Sequence, residues 1–523
     1  MPRPMGLHDL PADPSVAPGR RHDVHVVMLA DNLIVGDSRI QKEAASMAEL
    51  GWRVTLVGRR ARFDGKRRRR FGGVPAHLVY VLQNAGSSPQ LERSTLLRNP
   101  LAYPTLRRER HAKAIADAVV ADARFRIEAQ KVRGRDRGPR RYTSRARMAW
   151  ARLRRRVILR RLRATESTRR ARDLANGPAD RLATAWWRLV RRGDAWQRLD
   201  PGIWDWEAAY GPVLDRLQPD LIHANDHRML HVAARAKVRA AMRGRDVRIV
   251  WDAHEWIKEL TPWSPRESWL PAQVLLERAF ASWADGVATV SDELAEMLRE
   301  EFALPTTPSV VRNAPLMRTA EAPERTIREV VGLPRETPLI VYSGGIAPVR
   351  SVDTAVRALV DLPGVHLAII ARYPETPPAS DLSDLAAELG VGDRVHLLPY
   401  VPVPQIVPFI SSADAGVNTL LHRPNHEISL VTKYYEYAQA RLPILVSDVR
   451  VMAETTRRHG NGEVFTAGDP ADLARAARLV LADPDRYRKA YDDPDLMHRW
   501  SWEAQAEVLD ALYRRVLEQP HLE

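Results

Sequence analysis

Short apolar runs, each followed by a segment of helical period, recur along most of this chain. Residues 23–30 (DVHVVMLA) form one such run. Ile40, Ala44, Met47 and Ala48 then fall at helical spacing, Gly51 closes that segment, and residues 53–57 (RVTLV) form a second run. The order predicts a strand, a helix over 39–50 and another strand, the opening of a parallel βαβ sheet. A third strand is expected at 76–82, with Lys66 to Arg70 (KRRRR) as a solvated turn before it. From Trp206 the alternation resumes, with strands at 219–224, 248–252 and 285–291 and a helix at 229–241. Ser291, followed by Asp292 and Glu293, is a favourable N-cap for a further helix. A second series begins at 338–342 (PLIVY), turns at Ser343-Gly344-Gly345, enters a helix at 351–359 and continues with strands at 365–370, 395–398 and 415–420. A loop, a helix over 432–440 and a buried strand over 443–446 follow. Two α/β domains are predicted, 23–315 and 338–499, joined by a polar, proline-rich linker at 316–337.

Composition adds three constraints. The 523 residues are enough for two or three domains with full cores. No cysteine is present, so disulfides, thiolate metal sites and a cysteine nucleophile are excluded. Residues 1–22, rich in Pro and Asp without an apolar h-region, read as a disordered leader on a cytoplasmic protein. No stretch approaches the ~20 apolar residues of a spanning helix.

Charge changes the picture more. Residues 124–198 hold 25 Lys and Arg against 6 Asp and Glu, a local +19, while the whole chain carries +15. The basic character therefore belongs to this segment, and any anionic partner must be argued for it alone. It reads as a helical insertion in the first domain, broken at GRDRGPRR. Between Ser144 and Arg163 the arginines fall on every side, so insertion into a bilayer is expected to be poor. From Ala179 to Arg192, Leu182, Ala185, Trp186, Leu189 and Val190 share one face, with Arg181, Arg188, Arg191 and Arg192 elsewhere. That is the pattern of an interfacial helix. It is equally the pattern of a helix packed by its stripe against the first domain.

Candidate chemistry lies at the carboxyl ends of the predicted strands, where open α/β sheets bind ligands. His254, in Asp252-Ala253-His254-Glu255, ends one strand. Gly344 and Gly345 allow close backbone approach, and Arg350 at the next helix entrance suits a diphosphate. In Asn425 to Asp448 (NHEISLVTKYYEYAQARLPILVSD) a loop carrying Glu427 meets a helix start that offers free N–H groups and the positive dipole end. Lys433 adds a full charge in the first turn, and Glu436, one turn on, suits a vicinal diol such as a ribose. Phosphate beside a diol implies a nucleotide. No GxGxxG follows the first strand, which disfavours a dinucleotide oxidoreductase.

Glu427, Lys433, Glu436, Tyr437 and Pro443 resemble the donor segment of retaining glycosyltransferases of the GT-B fold, family 4. Eight residues separate the two glutamates where seven are usual in that family, and Arg441 replaces the usual helix-ending glycine, so a differently shaped helix end is expected. The resemblance implies two Rossmann-like domains facing across a cleft, with a closing helix over 500–523, opened by Trp500-Ser501-Trp502-Glu503, that crosses back to the first domain. It implies a donor site at Gly344, Gly345, Arg350, Val401, Ser429, Leu430, Thr432, Lys433 and Glu436. Catalytic roles fall to His254, Glu427, Arg350 and Lys433, and Asp37 and Arg39 lie on the acceptor side. Asp37 taken singly is equally a helix N-cap.

The function implied is transfer of a sugar from a nucleotide-diphosphate sugar to an acceptor hydroxyl, with retention. The setting expected is glycan or glycolipid assembly at the inner face of the cell membrane, with an acceptor that is lipid-linked or otherwise held there. The basic segment is the expected contact with an anionic membrane surface, and no nucleic-acid partner is expected. No cofactor is implied, and cationic side chains make a metal unnecessary. The Asp-x-Asp pairs Asp483/Asp485 and Asp493/Asp495 read as helix caps in Pro-containing turns. Two other readings remain open, a sugar-nucleotide epimerase on the same fold and a membrane- or nucleic-acid-binding protein on an inactive scaffold.

Overall fold

The computed structural model describes residues 23–63, 65–82, 99–132, 139–262, 264–317 and 322–519. The expected leader, most of the GRDRGPRR break, part of the linker and the last four residues lie outside the described residues.

One compact unit comprises residues 23–81, 206–260 and 280–519 and contains two sheets. The first has strands β1 (His25–Leu29), β2 (Arg53–Arg59), β3 (Arg68–Phe71), β4 (Val74–Val79), β5 (Leu221–Asn225), β6 (Arg248–Ala253), β7 (Gly286–Thr289) and β8 (Ser309–Val310). Their order is β3-β4-β2-β1-β5-β6-β7-β8, parallel throughout except at β3. The second has β9 (Leu339–Ser343), β10 (His366–Ile370), β11 (Val395–Leu398), β12 (Ala415–Asn418), β13 (Ile444–Ser447) and β14 (Gly462–Phe465), all parallel in the order β11-β10-β9-β12-β13-β14. Both sheets change winding direction at their first strand, β1 or β9, and the switch points define where a ligand crevice opens.

The apolar runs are strands because they are buried on both faces. All five residues of β1, β5 and β9 are buried, as parallel sheets covered by helices require. The basic run corrects one expectation. Arg68 to Phe71 is not a turn but an edge strand paired antiparallel with β4. Gly72 and Gly73, at φ +51° and +80°, supply the two left-handed positions of a tight hairpin. The arginines stay exposed on that edge, where charge also discourages pairing with another chain.

The last helix, Trp502–Glu518, is capped by Ser501 and lies against the first sheet. Its Leu512 and Val516 occupy the space a side chain at Gly286 would need, since a Cβ there would lie 2.5 Å from Val516. Trp502 Nε1 donates to Ser46 Oγ (2.9 Å), and Trp52 Nε1 donates to Asp510 (2.8 Å). This helix therefore completes the core of the first domain although it follows the second in sequence.

The helical unit, residues 82–205 with 261–279, is described by itself. Its helices include Leu106–Val132, Pro139–Leu174 and Pro178–Arg191, with a small core of Ala123, Met148 and Ala151. Ser268 Oγ donates to the Leu199 carbonyl (2.8 Å) and Gln273 to Asp200 (3.0 Å), so the returning segment belongs to it. The unit is wider than the 124–198 stretch that charge alone outlines.

Candidate functional site

Lys433 and Glu436 lie on the helix Thr432–Gln439, which begins without a side-chain cap. Its first-turn N–H groups point from the carboxyl edge of the second sheet. The Lys433 side chain crosses Gly344, which sits at φ +134°, and a Cβ on that glycine would lie 2.0 Å from Lys433 Cε. Gly344 is thus required twice, by its backbone and by the lysine above it. The ammonium lies 5.5 Å from the centre of the Tyr342 ring, and the Tyr342 hydroxyl donates to the Gly345 carbonyl (2.8 Å). Arg350 is anchored at its own carbonyl by Thr419 Oγ1 (2.6 Å), with its guanidinium 3.4 Å from the Gly345 carbonyl. Ser343 Oγ donates to Glu436 (3.2 Å), while the Tyr437 hydroxyl accepts from the Ser343 N–H (3.0 Å). Tyr437 fits because residue 416 is glycine, where a Cβ would meet the ring at 2.3 Å.

Electrostatics follow from this crowding. Burial and the Arg350 charge push Lys433 down to about 7, against the attraction of Glu436. Burial raises the Glu436 carboxyl above its usual range, opposed by Lys433 and by Lys42. Lys433 is therefore poised to take up a proton when an anion arrives.

From the first sheet, His254 follows β6 and stands between two carboxylates. Its Nε2 lies 2.8 Å from Asp252 and its Nδ1 3.5 Å from Asp226. Burial works against its charge, but the two carboxylates hold it protonated up to about 10. Burial pushes Asp226 up to about 7, and His254 opposes that. Asp252 is fully buried; although burial opposes its charge, Arg39 and His254 hold it well below the usual carboxylate range. Arg39 grips Asp252 through Nε (2.9 Å) and Nη2 (2.8 Å), pairs with Glu43 (2.9 Å) and donates to the Val311 carbonyl (2.7 Å).

That arrangement corrects the expected place of Arg39. It is buried beneath the strand end and buttresses Asp252 rather than facing an acceptor, because two buried carboxylates need its charge. Asp37 remains half-exposed and caps the helix Ser38–Glu49, accepting from the Ile40 N–H (3.3 Å) and from the Asn32 amide (2.6 Å). Glu43, His223 and Asp252 offer ligand atoms within 4.8 Å of one another, but Arg39 already supplies the positive charge that joins the two carboxylates. Asp483 and Asp493 each cap a helix start, accepting from Arg486 and from Asp495 and Leu496 respectively.

Glu427 is engaged differently from Glu436. Its oxygens accept from the Arg450 N–H (2.7 Å) and meet His422 Nδ1 (2.6 Å), and it shares no hydrogen-bond partner with Glu436. A single helical turn, Pro424–Glu427, ends at this carboxylate, which accepts at the start of the helix Arg450–His459. Ser429 Oγ bonds back to the Asn425 carbonyl, and Thr432 stands half-buried at the helix entrance. Leu430 and Val401 pack partly against the second-sheet core. Arg441 takes the left-handed conformation itself (φ +56°), correcting the expected change of shape at the helix end. Its guanidinium bonds to the Tyr491 carbonyl (2.9 Å) and Asp492, which compensates a non-glycine in that region.

Three contributors are not among the residues singled out from sequence. Lys42, buried in the first domain, donates to Asn313 Oδ1 (3.0 Å) and the Ala314 carbonyl and lies within electrostatic reach of Glu436. Asn425 brackets Trp256, accepting from its N–H (2.8 Å) and donating to its carbonyl (3.1 Å), which ties the Glu427 loop to the strand end carrying His254. Ile428 joins the first-domain core beside Trp256. A readable signal existed for Lys42: Arg39, Lys42 and Glu43 put three charges on the helix face that Ile40 and Ala44 bury.

Two family models match the chain, one described as Glycosyltransferase Family 4 over residues 171–314 and one as Glycosyl transferases group 1 over residues 323–493. A D-inositol 3-phosphate glycosyltransferase of Thermobispora bispora is 29% identical over 266 residues, 48% of this chain and 60% of that protein. Its counterpart in Nocardia farcinica is 30% identical over 186 residues, 34% of this chain and 40% of that protein. This chain thus spans about half the length of these curated relatives. Among solved structures, sucrose-phosphate synthase from Thermosynechococcus elongatus is similar at a TM-score of 0.59 and 13% identity, covering 94% of this chain and 99% of that one. Anabaena HepE in complex with UDP and glucose gives 0.56 and 13% with the same coverages. At such identity these two establish the two-domain fold.

Proposed function

We propose that this chain, a family 4-like glycosyltransferase of the GT-B fold, transfers a sugar with retention from a nucleoside diphosphate sugar to an acceptor hydroxyl. The observation that carries the reading is the cradle at Gly344, where Lys433, Arg350 and the uncapped helix start meet one turn from Glu436. A diphosphate in that cradle meets two side-chain cations and free N–H groups, and Glu436 accepts from ribose hydroxyls. UDP bound to the similar Anabaena protein supports a nucleotide there.

The bond from the anomeric carbon to the diphosphate oxygen breaks as the sugar becomes oxocarbenium-like. The acceptor oxygen bonds to the same face, and its proton passes to the departing phosphate oxygen. Charge builds on the diphosphate, so preorganised donors beside it lower the barrier most. A glycosidase-type carboxylate pair is unnecessary, since water is not the nucleophile. His254, charged and fixed by Asp252 and Asp226, presents its positive charge to the sugar from the first domain, and half-exposed Asp37 lies on the acceptor side.

Purified protein mixed with UDP-, GDP- and ADP-sugars is expected to gain thermal stability with one donor class; no shift with any of them would oppose the reading. Glu436→Ala should weaken that donor's binding by about 1.5–3 kcal/mol, the worth of a charge-assisted hydrogen bond, with unchanged affinity by calorimetry as the contrary result. His254→Ala is expected to keep nucleotide binding and lose transfer, because its contact is with the sugar; full turnover would remove it from the mechanism.

A further inference from the structure

The helix Pro178–Arg191 turns its apolar stripe outward. Leu182, Trp186, Leu189 and Val190 are 72%, 60%, 73% and 51% exposed, while the polar residues Asp180 and Thr184 are buried on the opposite side. Within its own unit the helix rests on the face opposite this stripe. On the helical wheel the outward arc of Leu182, Ala185, Trp186, Leu189 and Val190 is bordered on one side by Arg181 and Arg188, both exposed. The helix Pro139–Leu174 repeats the arrangement. Trp150, Leu153 and Val157, at i, i+3 and i+7, are exposed together, and Arg154 lies 5.4 Å from the Trp150 ring. The arginines fall on every side as expected, Arg155 pairing with Asp117 on the side of Met148 and Ala151, yet a short exposed apolar line survives at Trp150, Leu153 and Val157.

We propose that this surface docks onto an anionic lipid bilayer, the apolar arc entering the headgroup–acyl boundary and the arginines reaching lipid phosphates. An outward Trp and Leu face beside guanidinium groups fits that interface, because the long arginine stems place charge at phosphate depth while the helix lies flat. Each arginine near an anionic leaflet strengthens partitioning about fivefold. A second copy of the chain fits less well, since a two-fold contact through this face would set arginines beside arginines. Nucleic acid engages the cations and leaves the apolar arc in water.

The inference goes beyond the transfer reaction and is tested apart from it. Full-length protein is sedimented with vesicles of phosphatidylcholine alone or with phosphatidylglycerol added. Binding is expected only to the anionic vesicles, falling as salt is raised. Leu182→Asp, Trp186→Asp and Leu189→Asp together should lower it about tenfold or more, and reversal of Arg181 and Arg188 to Glu should do the same. These positions are exposed, and unchanged circular dichroism together with unchanged thermal response to nucleotide sugar shows that fold and donor site are intact. Equal sedimentation of wild type and the triple Asp variant overturns the proposal. So does a wild-type dimer, seen by light scattering, that the Asp variant dissociates, or tight duplex DNA binding without vesicle binding.

Discussion

Lys433→Ala is expected to lower turnover by about 10²–10³, the usual consequence of removing one preorganised donor from a charge that develops in the transition state. Folding should barely change. Lys433 is desolvated and close to Arg350, which is why its pKa falls to about 7. An unliganded protein loses little when such a lysine goes, whereas a protein holding a departing diphosphate would lose one of its two side-chain counter-charges. Gly344→Ala should reproduce much of the effect, because the added Cβ takes the space of Lys433 Cε. Single-turnover rates with the donor found by thermal shift separate chemistry from binding. A Lys433→Ala enzyme that transfers at the wild-type rate would remove the leaving-group argument.

Asp252→Asn should act in the opposite way and cost stability before anything else, about 3–5 kcal/mol, as expected when a buried charge pair loses one partner. Asp252 is the point where Arg39 and His254 meet; Arg39 keeps Glu43 at 2.9 Å, while His254 is left with Asp226 at 3.5 Å. Burial and the Asp252 charge raise Glu43 well above its usual range, so Glu43 cannot replace the lost charge without first ionising. Equilibrium urea unfolding measures the loss, and a change within 0.5 kcal/mol, the scale of an ordinary surface substitution, would show that the cluster carries no structural weight. His254, freed from its anchor, should also become easier to deprotonate, and transfer should fall in the folded fraction.

The strands and most helices were legible because their apolar runs are buried on both faces, the condition that parallel sheets impose. The helix Thr432–Gln439 was legible from its pattern, and Lys433 in its first turn stood out because a cation there opposes the dipole. Arg39 was not, because a charged residue at a helix start looks the same whether it faces solvent or a buried Asp252 that is 213 residues away in sequence. Asn425 was equally silent, since an asparagine before a loop gives no sign that its amide will bracket Trp256. The Arg68–Arg70 strand was hidden by its charge, although Gly72-Gly73 marked the hairpin. The outward stripe at Leu182 could be drawn on a helical wheel, but only packing decides which face turns inward.

Titration of UDP, GDP and ADP into the protein by calorimetry at pH 8, in two buffers of different ionisation heat, tests the diphosphate cradle most directly. At that pH a lysine with a pKa of about 7 is mostly neutral, and a bound diphosphate restores its charge. The account predicts binding of at least one of the three with uptake of up to about one proton, and loss of that uptake in Lys433→Met. Binding of none of them, or binding with the same apparent heat in both buffers, would contradict it.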